Sequence, residues 1–136
     1  MRKAKSIVLD SWAIMAYLED EKAAEKVAEI ISDAHDDGIP LLMTVVNAGE
    51  VWYIVARQTN TVEADGAIRA LRQIGIQFIE ADWALTNQAA KFKVKGKISY
   101  ADCFAAALAK QKKAVLVTGD KEFLQVEREI SISWLE

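Results

Sequence analysis

The sequence holds a single cysteine, Cys103, in 136 residues. An internal disulfide is therefore impossible, and so is a zinc cage built from thiolates alone. A single histidine, His35, excludes histidine-rich metal sites and leaves a serine–histidine–aspartate triad hard to build. One proline and six glycines provide no low-complexity linker. No apolar run approaches the roughly 20 residues that cross a bilayer. The start, Met1-Arg2-Lys3-Ala4-Lys5, opens like a signal peptide, but Asp10 interrupts the apolar run and Glu19, Asp20 and Glu21 close it. The expectation is a cytoplasmic protein with no membrane association. Its chemistry has to run on carboxylates, hydroxyls and lysines.

What is present is a balance of 52% hydrophobic and 27% charged residues, the composition of a packed globular chain. The length fits one domain, residues 1–136. A net charge of −3 argues, taken alone, against a nucleic-acid partner. The distribution argues otherwise. Residues 1–56 carry five lysines and arginines against ten acids, whereas residues 83–113 carry seven lysines and one acid, Asp102. A solitary acid in a basic segment draws attention to itself. A solvated lysine-rich face is the plainer explanation of the same segment.

Apolar patterning alternates between short strands and longer amphipathic segments. Ser6 to Leu9 reads as a strand buried on both faces. Two helices follow, over 11–18 and 21–35, and Asp36-Asp37-Gly38 ends the second. Pro40 to Thr44 reads as a strand, residues 47–58 as a helix, and Asn60 with Glu63 as a capping box opening a helix to Ile74. Ile76 to Ile79 is a strand. Asp82 caps a helix to Lys93, Ser99 opens an alanine-rich helix to Lys112, and Ala114 to Thr118 is a second clear buried strand. A short helical turn at 121–125 precedes an alternating strand at 130–134. Strands separated by helices imply a three-layer α/β/α sandwich on a mostly parallel sheet of about five strands.

Open parallel sheets bind ligands beyond the carboxyl ends of their strands. Asp10 follows the first strand and Asp120 the fourth. Glu50 and Asp102 lie near the starts of helices at that same edge. Four carboxylates from four distant segments would meet there and repel one another unless a cation compensated. Oxygen ligands without histidine or thiolate favour Mg²⁺ or Mn²⁺. Such ions support hydrolysis of phosphodiesters with little other help from the protein. Helix capping explains Asp10, Asp82, Asp102 and Asp120 one at a time, because each begins a helical segment. It does not explain Glu50, set among Ala48, Val51, Trp52 and Ile54, where an unpaired carboxylate is costly. Nor would four independent caps need to converge. His35 reads as a favourable charge at a helix end, Cys103 as a small core residue, and Trp12, Trp52 and Tyr53 as packing residues before base-stacking ones.

Ile7-Val8-Leu9-Asp10-Ser11, Asn47-Ala-Gly-Glu50-Val51, Ser99-Tyr-Ala-Asp102 and Val117-Thr118-Gly119-Asp120-Lys-Glu-Phe123 together resemble the PIN-domain family, and most closely its compact VapC-type ribonuclease toxins. The ordered set spans nearly the whole chain. The resemblance implies an endoribonuclease dependent on Mg²⁺ or Mn²⁺, often a homodimer, with RNA as substrate and an antitoxin whose C-terminal tail fills the acidic pocket. It places the four family acids on Asp10, Glu50, Asp102 and Asp120, and the supporting hydroxyls on Ser11 and Thr118. Asp10, Asp102 and Asp120 would hold metal, with Glu50 as a further ligand or as the orienter of the attacking water. Lys95 and Lys97 would flank the RNA backbone. A haloacid-type phosphatase would need an acid where Trp12 stands, and a receiver domain would need a lysine after the last strand. A PIN-like module that binds RNA or protein without cutting is the remaining alternative.

Overall fold

The computed structural model describes residues 4–136; Met1, Arg2 and Lys3, which open the signal-peptide-like start, lie outside the described residues. The elements are β1 (Ile7–Leu9), α1 (Ser11–Leu18), α2 (Ala24–Asp37), β2 (Leu41–Thr44), α3 (Val45–Gln58), α4 (Thr61–Gln73), β3 (Ile76–Ile79), α5 (Trp83–Lys95), α6 (Tyr100–Lys112), β4 (Val115–Thr118), a 3-10 turn (Lys121–Val126) and β5 (Ser131–Trp134). The expected sheet of about five mostly parallel strands has five, in the order β3-β2-β1-β4-β5. Every pairing is parallel.

Side-chain alternation along the strands feeds two separate cores. Val8, Leu42 and Leu116 point to one face and pack with Leu85, Phe92 and the alanine-rich α6. Leu9, Met43 and Val117 point to the other and pack with residues of α1, α2, α3 and α4. Each fully buried valine or leucine contributes roughly 1.5–3 kcal/mol through burial. The run Cys103 to Ala109 of α6 is buried. Its small side chains let α6 lie close against β1, β2 and β4 while α5 covers its flank.

Several boundaries differ from the sequence expectation by one to three residues, three of them for a clear local reason. α2 starts at Ala24, not Glu21, because Asp20 adopts a left-handed φ of 52° and the chain turns before the helix can begin. α3 starts at Val45, directly from β2, because the Thr44 hydroxyl caps it by accepting the Asn47 N–H at 3.0 Å. α5 runs on to Lys95 and stops at Gly96, its last turn carrying Lys93 and Lys95 where the helix dipole favours positive charge.

The order β3-β2-β1-β4-β5 leaves a switch between β1 and β4. The chain builds outward from β1 through β2 to β3, then returns to the other side of β1 with β4. Loops leaving β1 and β4 diverge there and open a crevice. Asp10 and Asp120 occupy those two loops.

Candidate active site

Asp10 ends β1 and caps α1, with Oδ1 accepting the Ala13 N–H at 2.8 Å. Its Oδ2 accepts the Thr118 hydroxyl of the neighbouring strand at 2.5 Å. The carboxylate is fully buried. Burial pushes its pKa up to about 7, with the charges of Asp120 and Glu50 adding to the rise and the Thr118 and Ala13 hydrogen bonds opposing it. Thr118 also accepts the Asp120 N–H at 3.0 Å, so one hydroxyl sets the direction of two of the acids.

Glu50 comes from α3. Its Oε1 accepts the Ser11 hydroxyl at 2.9 Å and the Asn47 amide at 3.1 Å. Asn47 is fully buried. Its Nδ2 also donates to the Ala101 carbonyl at 3.1 Å, and its Oδ1 accepts the Thr44 hydroxyl at 2.6 Å. These bonds tie β2 and α3 to the first turn of α6, which carries Asp102. The apolar neighbours that made Glu50 conspicuous thus hide a polar spine.

Asp102 lies in that first turn, behind the Ser99 cap whose hydroxyl accepts the Asp102 N–H at 3.2 Å. Burial pushes its pKa up to about 8; hydrogen bonding with Glu122 and the charges of Asp120 and Asp10 add to this. Asp120 caps the 3-10 turn, its Oδ1 accepting the Glu122 N–H at 2.9 Å. One carboxylate oxygen from each of Asp102, Asp120 and Glu122 lies within 4.8 Å of the others.

Glu50, Asp102, Asp120 and Glu122 face an open cavity of about 340 Å³. Ser11, Glu50, Ser99, Asp102, Asp120 and Glu122 line it, with Trp12, Met15 and Ile54 on the apolar side and Glu21 among the acids. Among the described residues no lysine or arginine lines it. These carboxylates and hydroxyls form an all-oxygen donor set of the kind that suits a hard divalent cation. The donor set fits Mg²⁺ or Mn²⁺ and offers nothing to a soft metal.

The structure brings together Asp10, Ser11, Glu50, Asp102, Thr118 and Asp120, and it adds two residues not singled out from sequence. Glu122 completes the three-oxygen group; an acid two residues after Asp120, at the start of a helical turn, was the available signal. Asn47 carried no comparable signal, because its role depends on Ala101, 54 residues away. Lys95 and Lys97 lie outside the cavity lining. Lys95 pairs with Glu129 at 3.1 Å, and the Lys97 N–H donates to Gln125 Oε1 at 3.0 Å. His35 serves the fold, its Nε2 lying 2.6 Å from the Ile74 carbonyl at the end of α4.

The sequence pattern of PIN domains matches residues 7–129. The chain belongs to the PIN-domain family. Solved structures agree on the fold of this PIN domain. A chain of the DNA-bound VapBC complex from Salmonella typhimurium superposes with a TM-score of 0.75 at 12% identity, covering 96% of this chain and 98% of that one. One from Rickettsia felis VapBC2, bound to a promoter DNA fragment, gives 0.74 at 12% identity over 93% and 96%. Mycobacterium tuberculosis VapC20, described as a toxin that cleaves the sarcin–ricin loop, gives 0.69 at 18% identity over 88% and 93%. No curated protein matches the sequence. Among the described residues, no helix of this PIN domain is long and apolar enough to cross a membrane.

Proposed function

We propose that this PIN domain is a divalent-metal-dependent endoribonuclease and the toxin of a toxin–antitoxin pair. The observation that carries the reading is the convergence of Asp102, Asp120 and Glu122 oxygens within 4.8 Å, above the buried Asp10, at the switch of the sheet. Asp102, Asp120 and Glu122 would hold the ion, Mg²⁺ or Mn²⁺, with Asp10 closing the site from below. Bound by these residues, a divalent ion would supply Lewis acidity toward a phosphoryl oxygen and a counter-charge for the acids.

The protein's own groups have three tasks. Thr118 fixes Asp10 and the Asp120 backbone, so the acids keep their spacing when charged. Glu50, held by Ser11 and Asn47, reaches the cavity as a hydrogen-bond acceptor and orients the attacking water, or serves as a further ligand. The neutral hydroxyl of Ser99 at the cavity wall can donate to a phosphate oxygen without adding charge. Lys97 stands in the loop that leads into Ser99 and is the freer of the two proposed backbone contacts, since Lys95 shares its charge with Glu129.

Family membership and the acidic site support the nuclease reading. Fold similarity to chains of VapBC complexes supports a cognate antitoxin; the family resemblance implies that its tail enters the cavity and that the chain forms a homodimer. The deciding experiment is cleavage of total cellular RNA by purified protein with Mg²⁺, with Mn²⁺ and with chelator, beside Asp102→Asn. Discrete metal-dependent products that vanish in the variant are expected. Equal cutting by both proteins would remove Asp102 from the site, and inertness of the wild type with either metal would overturn the nuclease.

A further inference from the structure

Two tripeptides meet at the switch of the sheet: Asp10-Ser11-Trp12 leaves β1, and Thr118-Gly119-Asp120 ends β4. The Thr118 hydroxyl on Asp10 joins them at one end. They also touch in the middle. The six-membered ring of Trp12 comes so close to Gly119 that a Cβ there would overlap Cη2, Cζ3 and Cζ2, the last at 2.7 Å. Gly119 does not have a positive φ, so no left-handed turn asks for glycine at this position. The missing side chain makes room for the ring. That ring is half-buried, packs on the core beneath α1 and lines the cavity.

Thr118 is anchored by its carbonyl, which accepts the Leu135 N–H at 2.9 Å, and Phe123 is fully buried. Between these anchors the hydrogen bonds of Asp120 are local. Its N–H reaches Thr118 and its Oδ1 accepts from Glu122, two residues away in either direction. Such bonds move with the segment and do not fix it in space. The Trp12 ring arrives from the other side of the switch and does. Asp120 needs the support, because its carboxylate lies within 4.8 Å of those of Asp102 and Glu122, and like charges so close push apart. We propose that Trp12 is the positioning residue of Asp120, a wedge on Gly119 that keeps this carboxylate in the three-oxygen group. An indole offers no oxygen to a hard cation, so Trp12 acts through the backbone and not as a ligand. This inference rests on the metal-site reading and adds to it a residue that contributes no ligand atom.

The test is Trp12→Phe in the full chain, which keeps an apolar ring but one too short to press on Gly119. Amide hydrogen exchange is followed at Asp120, with the Leu135 and Asn47 N–H groups, hydrogen-bonded elsewhere in the fold, as references. Exchange at Asp120 should quicken by roughly 10-fold or more while the references hold. Mn²⁺ titration should show binding weakened by roughly 10- to 100-fold. Gly119→Ala added to Trp12→Phe puts a methyl group where the ring edge stood, so the double variant should recover part of both losses. Unchanged exchange at Asp120 would overturn the wedge. So would equal quickening at all three amides with a lowered melting temperature, which marks a role in the core alone. Selective quickening with Mn²⁺ affinity intact would overturn it too, since Asp120 would then keep its place without the ring. A wild type that binds no Mn²⁺, with exchange still quickened only at Asp120 in the variant, would sink the metal-site reading and leave the wedge standing.

Discussion

The Thr118 hydroxyl donates to Asp10 Oδ2 at 2.5 Å, joining the ends of β4 and β1 across 108 positions of sequence. The same oxygen accepts the Asp120 N–H. Thr118→Val keeps the shape and removes both bonds inside a fully buried site. We expect a loss of about 1–3 kcal/mol in urea unfolding at unchanged m-value, with Thr118→Ser recovering most of it. Equal midpoints for wild type and the valine variant would mean that the two acids are placed by backbone alone.

Stability without metal should fall as pH rises. Asp10 and Asp102 are raised in the folded protein from 3.8 to about 7 and about 8. Between the unfolded and folded values the native state binds more protons than the unfolded one. The stabilisation is complete below about pH 4 and is lost as pH passes through 7 and 8. Melting in chelator should therefore drop by several degrees between pH 5 and pH 8.5. Asp102→Asn should flatten the upper part of that decline. A melting temperature that climbs steadily over this range would show that the two carboxyls are not raised.

Divalent ions should reverse that decline. At pH 8 Asp10 is largely charged and Asp102 stands near its midpoint, and a bound cation would draw the remaining proton off and replace the repulsion with attraction. Millimolar Mg²⁺ or Mn²⁺ should raise the melting temperature of the wild type at pH 8 and do far less at pH 5, where protons compete. Asp120→Asn should lose most of the metal-induced rise. Retention of the full rise would place the ion elsewhere.

Asn47 offers a test of the polar spine. Replacing it with alanine leaves the Ala101 carbonyl without its side-chain donor and the Thr44 O–H without its acceptor, and frees Glu50 on one side. The expected cost is on the order of 1–3 kcal/mol, together with a fall in RNA cleavage. Ser11→Ala, which removes only one bond to Glu50, should cost less of both. The reverse ranking, in thermal unfolding and in initial cleavage rate, would assign the placing of Glu50 to Ser11.

Gly119 has no room for a side chain. An added Cβ would lie 2.3 Å from Trp12 Cη2, inside the indole that forms the apolar side of the cavity. Gly119→Ala has to displace Trp12, at a cost of about 1–3 kcal/mol, and should change the intrinsic fluorescence. Trp12→Ala removes the obstacle, so the double variant should lose less than the two single losses added together. Additive losses would show that the indole yields freely.

Much of the architecture was legible from short patterns. The runs around Val8, Leu42 and Leu116 are apolar on consecutive positions because both faces of a central parallel strand are covered, and such runs are hard to mistake. Asn60, Asp82 and Ser99 cap helices in the structure because a short polar side chain before an apolar periodic run satisfies the free N–H groups of the first turn. Periodicity places the start of α2 at Glu21, three residues early, because nothing in composition announces the left-handed Asp20. It places the start of α3 two residues late, because a helix that leaves a strand without a loop shows no turn residues to mark it.

Composition alone narrows the ligands on offer. With one cysteine and one histidine, only oxygen ligands are available in number, and acids placed after strands and at helix starts gather at one sheet edge if those strands are parallel. Only the tertiary structure decided which oxygens stand together. The Asp102–Asp120–Glu122 group, the burial of Asp10 and the bracing of Glu50 through Asn47 depend on the side-by-side placing of β1, β4, α3 and α6. The physical reason is range. Periodicity and capping are set by neighbours three or four positions apart, whereas a raised pKa or a metal-sized gap is set by charges brought within a few ångströms across the chain, and by the water that packing removes.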